Sequence, residues 1–285
     1  MPEEDEGSEV ILVADDGSPD AQSAGDIAIQ VARCQNLSIE GLYVVDETLV
    51  LETYASYSEE LGSVQRPTSR AELVAWFENR GQSTLGRLEE RCRAAGVLAS
   101  SELLFGGVPE LILATAAHAR LLALGRRGHG HLGELSYLGH NFRAISHRAR
   151  VPLLVGGDTK RPVQQLLLAY NASDAAQRAL DWATRLQDAL SAQVLVLAVQ
   201  QGEGDEPTGQ WLEDARRRLV EKGVTKPQLL SRHGQPADEI VAAAAESEAD
   251  LIVMGRYRHT LLLDWLADST MDGVLRKTGL PALFA

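Results

Sequence analysis

Short runs of apolar, β-forming residues alternate along this chain with longer stretches in which apolar positions recur every three or four residues. The first run, Val10-Ile-Leu-Val-Ala14, ends in the polar turn Asp15-Asp16-Gly17-Ser18. Ser18 is placed to cap a helix, and Pro19 stands at the first helical position, where a missing N–H costs nothing. Ala24, Ile27, Ala28 and Val31 then repeat at helix spacing, and small residues on that face let a helix lie close to a sheet. Leu166-Leu-Leu-Ala-Tyr-Asn-Ala-Ser173 opens a second stretch in the same way, followed by Ala176, Ala179, Leu180 and Ala183.

The two stretches also close alike. Leu121-Leu-Ala-Leu-Gly125 matches Leu251-Ile-Val-Met-Gly255, 130 positions later, and Val151-Pro-Leu-Leu-Val155 matches Leu280-Pro-Ala-Leu-Phe284, 129 positions later. The openings stand further apart, 155 positions from Asp16 to Asn171. The first half therefore carries extra residues in its middle, and 47–70, which lacks a clean periodicity, reads as an inserted loop with a short helix. The pattern predicts strand 10–15, helix 18–34, strand 38–45, the insertion, helix 70–95, strand 98–104, helix 108–118, strand 121–125, a glycine loop, helix 139–148 and strand 151–155. The second half reads as strand 164–170, helix 173–190, strand 193–199, helix 207–222, strand 227–231, helix 236–247, strand 250–254, a loop, helix 268–277 and strand 281–284. Alternating strands and helices with apolar strands mean parallel α/β sheets covered on both faces, that is, two tandem doubly wound domains. The boundaries expected are 1–157 and 163–285, joined by a linker too short for the halves to wander. The last strands, 151–155 and 280–284, would be exposed edges in isolated halves, so the halves are expected to pair there within one chain; two such chains could pair in turn.

Composition narrows the function. The chain has 285 residues, 45% hydrophobic and 24% charged, an ordinary globular mixture. Its formal net charge of −13 repels nucleic acid and anionic membrane, so a bound phosphate must be held locally. No run approaches the roughly 18 apolar residues of a membrane span, and the acidic start does not resemble an export signal. Two cysteines, Cys34 and Cys92, fall on helical segments without a CxxC, which argues against disulfides or zinc and fits a reducing cytoplasm.

In parallel α/β sheets ligands bind beyond the carboxyl ends of strands, where strand order reverses. The loops there are Asp15–Ser18 after the first strand and Gly125-Arg-Arg-Gly-His-Gly-His-Leu-Gly133 after the fourth, with Leu138-Gly-His-Asn141 opening the next helix. Glycines let backbone approach a phosphate, and helix N-termini offer free N–H groups. Strand alternation points to Asp16 as the buried functional carboxylate, with Asp15 a solvated or capping neighbour. Arg126-Arg127 is either a phosphate clamp or a basic edge. The GxGxxG at 128–133 follows the fourth strand, not the first, so a Rossmann site is disfavoured, and no GxxxxGK[ST] occurs. His129, His131 and His140 could form a metal cluster, but without carboxylate or Cys in the same loops they read as phosphate-facing or solvated. Trp76, Trp182, Trp211 and Trp265 fall on helices and are expected to pack, as are Tyr54 and Tyr57 of the insertion.

At the Asp16-Gly17-Ser18 turn and the Gly125-x-x-Gly128 loop the chain resembles the universal stress protein family, over nearly its whole length and twice. The resemblance implies a five-stranded parallel sheet in each half, in order 3-2-1-4-5, and ATP binding, with or without magnesium, in some members. It implies a first-half site of Asp16, Val45, Gly125, Gly128, Gly139 and His140, with Asn141 following, Asp16 on adenosine and Val45 against adenine; Arg127, His129 and Gly130 of the same loop are added as candidates to meet the phosphates, the arginine and histidine by their charge. Ten residues, not nine, precede Gly139, and His140 replaces the usual Ser/Thr. In the second half Asn171 and Ala172 replace Asp and Gly, Arg258 replaces the second glycine, and Asp268 precedes Ser269. That loop is expected to bind no ATP. The function expected is a stress-response or regulatory protein that binds an adenine nucleotide, acts on unidentified protein partners and does little or no catalysis. The alternative is a nucleotide-free interaction module. An enzyme of the wider nucleotide-binding group is the weakest reading, since an SGGxDS-type loop is missing.

Overall fold

A computed structural model of the chain describes residues 9–51, 69–127, 139–158, 162–201, 207–256 and 270–285, with the side chain of His140 outside that set. The first half runs β1 (Val10–Ala14), α1 (Pro19–Gln35), β2 (Ser38–Asp46), α2 (Arg70–Ala95), β3 (Ala99–Gly106), α3 (Val108–Ala116), β4 (Leu121–Leu124), α4 (His140–Arg148) and β5 (Leu153–Val155). The second runs β6 (Gln165–Ala169), α5 (Asp174–Leu190), β7 (Gln193–Gln200), α6 (Thr208–Glu221), β8 (Gln228–His233), α7 (Pro236–Glu246), β9 (Leu251–Met254), α8 (Thr270–Lys277) and β10 (Ala282–Phe284).

Local chemistry sets these boundaries. Ser18, Ser69 and Ser173 are extended N-caps whose hydroxyls accept from the amides of Ala21, Glu72 and Ala176. Helix α2 stops at Gly96, which takes φ 71°, the left-handed conformation that ends helices at little cost to glycine. After β2, Asp46 accepts from the amides of Thr48 and Leu49 and turns 47–51 into a helical segment. The rest of the expected insertion, with Tyr54 and Tyr57, lies outside the described residues.

All ten strands join one sheet in the order β3-β2-β1-β4-β5-β10-β9-β6-β7-β8. Each half is parallel in the order 3-2-1-4-5, as the resemblance implies, and the halves meet where β5 runs antiparallel to β10. Leu154 faces Leu283 across this seam, and Leu153 faces Phe284. Both strands are fully buried, so each half covers the other's edge. Helices α1 and α5 pack side by side on one face. There Ala24, Ala28 and Val31 share one apolar cluster with Ala176, Ala179, Leu180 and Ala183. The other face is covered by α3, α4, α7 and α8 through Ile112, Ile145, Ile240 and Leu275. A third, smaller cluster of Tyr43, Val45, Val50, Leu73 and Leu85 lies beneath α2.

The tryptophans divide. Trp182 is buried and Trp211 packs against the core, whereas Trp265 lies outside the described residues. Trp76 departs from the expectation: it is 51% exposed, with Phe77 edge-on at 4.9 Å and the Arg80 guanidinium 5.6 Å over its ring. Cys34 is exposed, Cys92 is buried, and neither is bridged.

Candidate functional site

The strand order reverses between β1 and β4, and the turn after β1 is wound tightly there. The Asp15 amide still donates to Leu42 of β2, 3.0 Å away. Its carboxylate accepts from the Gly17 amide at 2.8 Å and lies 3.4 Å from Arg91 of α2. The Asp16 carboxylate accepts from the Ser18 amide at 2.9 Å. Gly17, between them, has φ 79°, so two overlapping Asx turns deliver the chain to the Ser18 cap. The burial order is the reverse of the expected one: Asp15 is 2% exposed and Asp16 is half-buried at the rim. The strand ladder ends at Ala14, and beyond it the turn, not the two-residue alternation, decides where side chains point. Burial pushes the Asp15 carboxyl up from its ordinary value, against the pull of the Gly17 amide and Arg91. Arg91 also holds Asp26 at 2.6 Å and the Gln22 carbonyl.

Beside this turn stands Gly125, at the end of β4. A Cβ there would sit 2.9 Å from the Ala21 amide nitrogen and 3.0 Å from the Ser18 hydroxyl. The first loop glycine thus lets the start of α1 press against β4. On the far side of the loop, the Gly139 amide donates to the Arg126 carbonyl at 3.1 Å. Gly139 caps α4 with no side-chain hydrogen bond, and Asn141 is half-buried in its first turn. Gly128, His129, Gly130, His131 and the side chain of His140 lie outside the described residues. The fold therefore brings Asp16, Gly125, Gly139 and Asn141 to the carboxyl end of the sheet.

Three expected contacts are placed differently. Val45 is 1% exposed and packs with Tyr43, Val50, Leu73 and Leu85, so it serves the core. Arg127 forks onto Asp20: its Nε donates to one carboxylate oxygen and its Nη2 to the other, both at 2.9 Å. Asp20, in the first turn of α1, is buried, and its hydrogen bonds push the Arg127 guanidinium up. Arg126 is 5% exposed and donates to the carbonyls of Leu275, Thr278, Gly279 and Leu280 in the second half. The pair is thus a structural clamp: Arg127 is held on a carboxylate and both Arg126 Nη atoms on carbonyls at and just past the end of α8, while the buried Arg126 Nε is left without a partner.

The second half keeps the geometry and changes the chemistry. Asn171 accepts from the Ser173 amide at 3.3 Å. Ala172 occupies the left-handed region at φ 58°, where the first half has Gly17, at a cost of roughly 1–2 kcal/mol. Tyr170, at the position of Asp15, donates its hydroxyl to Asp214 of α6 at 2.6 Å, and Arg217 and Arg218 also hold that carboxylate. Burial pushes Asp214 up, but the three donors outweigh it and leave the carboxyl below its ordinary range. Gly255 approaches Ala175 and Ala176 as Gly125 approaches Ala21. Arg256 reaches back to the carbonyls of Ser146, Ala149 and Val151, the mirror of Arg126. Arg258 and Asp268 lie outside the described residues. The reciprocal arginines had one sequence signal: both directly follow the glycine that ends the fourth strand of their half, 130 positions apart.

A doubly wound parallel α/β unit with a polar turn and a glycine at its switch point, repeated in tandem, defines the class: paired doubly wound α/β domains. The family model for "Universal stress protein family" matches residues 7–155 and again 162–284. The chain belongs to that family, as a tandem member. A universal stress protein of Thermus aquaticus is 34% identical over 102 residues, 32% of this chain and 74% of that protein. A universal stress protein of Synechocystis is 26% identical over 164 residues, 57% of this chain and 56% of the relative, so the match spans little more than half of that relative's length. Among solved structures, a universal stress protein from Archaeoglobus fulgidus superposes over 98% of both chains with a TM-score of 0.74 at 19% identity, a likeness of fold.

Proposed function

We propose that the N-terminal half binds an adenine nucleotide, ATP with or without magnesium, and that the protein acts in a stress response as a regulator with little or no catalysis. The observation that carries this reading is the convergence of the Asp16 rim carboxylate, Gly125 and the α4 N-terminus, capped without a side chain, at the point where strand order reverses. The Asp16 carboxylate is the group to meet adenosine, and the amides of the Gly125–Asn141 segment are the groups to meet phosphates. Asp15 is already engaged by Gly17 and Arg91, which leaves it poorly placed to act as a metal ligand or base. In the second half, Tyr170 and Asp214 close the equivalent turn against α6 and put a carboxylate there, so ATP is excluded from it. Among the described residues no helix is long and apolar enough to cross a membrane, and a cytoplasmic site of action belongs to the same proposal.

A thermal melt with and without ATP–Mg tests it. Saturation to 100 times Kd stabilises the wild type by about 2.7 kcal/mol, and Gly128→Glu removes the shift. Equal shifts in both proteins would exclude the loop as the site. A second reading, a nucleotide-free interaction module, is favoured by the commitment of Arg126 and Arg127 to protein groups and by the burial of Val45. It requires no wild-type shift at millimolar ATP.

A further inference from the structure

Helix α2 carries Trp76, Arg80, Thr84, Arg87 and Arg91 at intervals of four, four, three and four residues, one continuous stripe. The stripe faces the turn after β1 across an open crevice of about 440 Å³ lined by Gly17, Trp76, Asn79, Arg80, Thr84 and Arg87. Arg91, at its base, is spent on Asp15 and Asp26. Arg80 and Arg87 differ. Arg80 lies over the Trp76 ring beside the Tyr43 hydroxyl, and Arg87 donates to the hydroxyls of Ser83 and Thr84, both at 3.0 Å. Neither enters an ion pair among the described residues. On α6, by contrast, Arg216, Arg217 and Arg218 all pair with Glu213 or Asp214.

The second half supplies an internal control. The two helices end alike, Val97 donating to the Cys92 carbonyl and Val224 to the Leu219 carbonyl. Counted back from that shared end, Arg87 falls opposite Asp214 and Thr84 opposite Trp211. In the second half Asp214 is bridged to the strand-end Tyr170, and Trp211 packs against the core. In the first half a small residue and a cation stand at those positions, and the crevice is open.

We propose that this crevice binds a nucleoside monophosphate, with its base against Trp76 and Arg80 and its phosphate on Arg87. The indole and the guanidinium plane above it are a stacking surface for a planar ring. The Arg87 head folds back to the level of Thr84, roughly 12 Å along the helix from Trp76 at 1.5 Å per residue. A base, sugar and single phosphate can span that interval; an isolated phosphate cannot use both ends. The site shares the Asp15–Ser18 turn with the nucleotide reading but depends on α2 and not on the glycine loop, so the two can fail separately.

Calorimetric titration of the full chain with AMP, adenosine and inorganic phosphate tests it, using the wild type, Arg87→Ala, Arg80→Ala and Gly128→Glu. AMP is expected to bind the wild type, with adenosine and phosphate each at least about tenfold weaker, and Arg87→Ala to lose about tenfold, one charge-assisted hydrogen-bonding group. In the Gly128→Glu background, where the loop is blocked, Arg87→Ala should still lower AMP affinity by about tenfold. Arg87 is exposed, and a circular-dichroism melt matching the wild type verifies that its variant is folded. AMP affinity that survives both arginine substitutions, or that is lost in Gly128→Glu, places the ligand in the loop and overturns the crevice; so does the absence of AMP binding at millimolar concentration.

Discussion

Asp15 is a charge held against burial at the end of β1. Its carboxylate is 2% exposed, and a single amide and one arginine at 3.4 Å answer it. Burial raises its folded-state pKa above the unfolded value near 3.9. Between the two values the folded state binds more protons, so stability falls as pH rises through that window and the cost is present in full above the folded pKa. Asp15→Asn keeps an acceptor for Gly17 and removes the charge. It should raise the Tm at pH 7 and leave it unchanged below the unfolded pKa, as differential scanning calorimetry across that range would show; a lower Tm at pH 7 would mean that Arg91 outweighs the burial. Such a residue was only half legible in the sequence. The Asp15-Asp16 pair and its position at a strand end were readable, but which of the two is buried depends on where the ladder stops and on Gly17 at φ 79°. Likewise Arg127 was readable as a fork for a planar anion, and the anion proves to be Asp20, 107 positions earlier in the chain.

Elements pack here as closely as their glycines allow. A Cβ on Gly156, just past β5, would lie 1.7 Å from the Asp20 carbonyl oxygen and 2.9 Å from the Ala24 amide nitrogen of α1. Both are backbone atoms in a packed helix, so no rotamer change relieves the clash. Gly156→Ala should cost about 3 kcal/mol, the upper end of the usual overpacking penalty. Gly86, in the middle of α2, has nothing within 4 Å of a built Cβ, and Gly86→Ala should gain roughly 0.5–1 kcal/mol from helix propensity. Urea midpoints of the two variants should move in opposite directions; a shift in the same direction would show that the close approach of α1 and β5 can relax. The elements themselves were largely legible. Helix α2 occupies Arg70–Ala95, the range the apolar pattern predicts, and the strands follow their apolar runs. What periodicity could not show is which glycines serve a ligand and which serve packing, because both uses place Gly where backbone meets another group. Gly125 sits in a ligand-loop motif and also meets α1.

The two halves are held together by one strand seam, by the α1–α5 contact and by two arginines. The seam was legible, since each half ended in an apolar strand with an edge to hide. The arginines were not, because a basic pair beside a glycine loop invites a ligand reading, and the groups that claim Arg126 and Arg256 are carbonyls 149–154 and 105–110 positions away in the chain. Arg126 meets the carbonyls of Leu275, Thr278 and Leu280, and Arg256 those of Ser146, Ala149 and Val151, equivalent positions of the two halves. Each guanidinium therefore satisfies the orphan carbonyls at the C-terminal end of the other half's last helix, where the partial charge is negative. Replacing either by Met strands several buried acceptors at once and should cost about 3 kcal/mol. The loop bond from the Gly139 amide runs to the backbone carbonyl of Arg126, which methionine retains, so Arg126→Met and Arg256→Met should be destabilising to a similar degree and neither removes that loop closure. In urea the wild type should unfold in a single transition, because ten strands share one sheet. Arg126→Met with Arg256→Met should split this into two, since the three-residue strands β5 and β10 and the small-residue contact of α1 with α5 are then left to couple the halves. A double variant that still unfolds in one step with an unchanged m-value would show that the seam and the α1–α5 contact carry the cooperativity and that the arginines only tighten it.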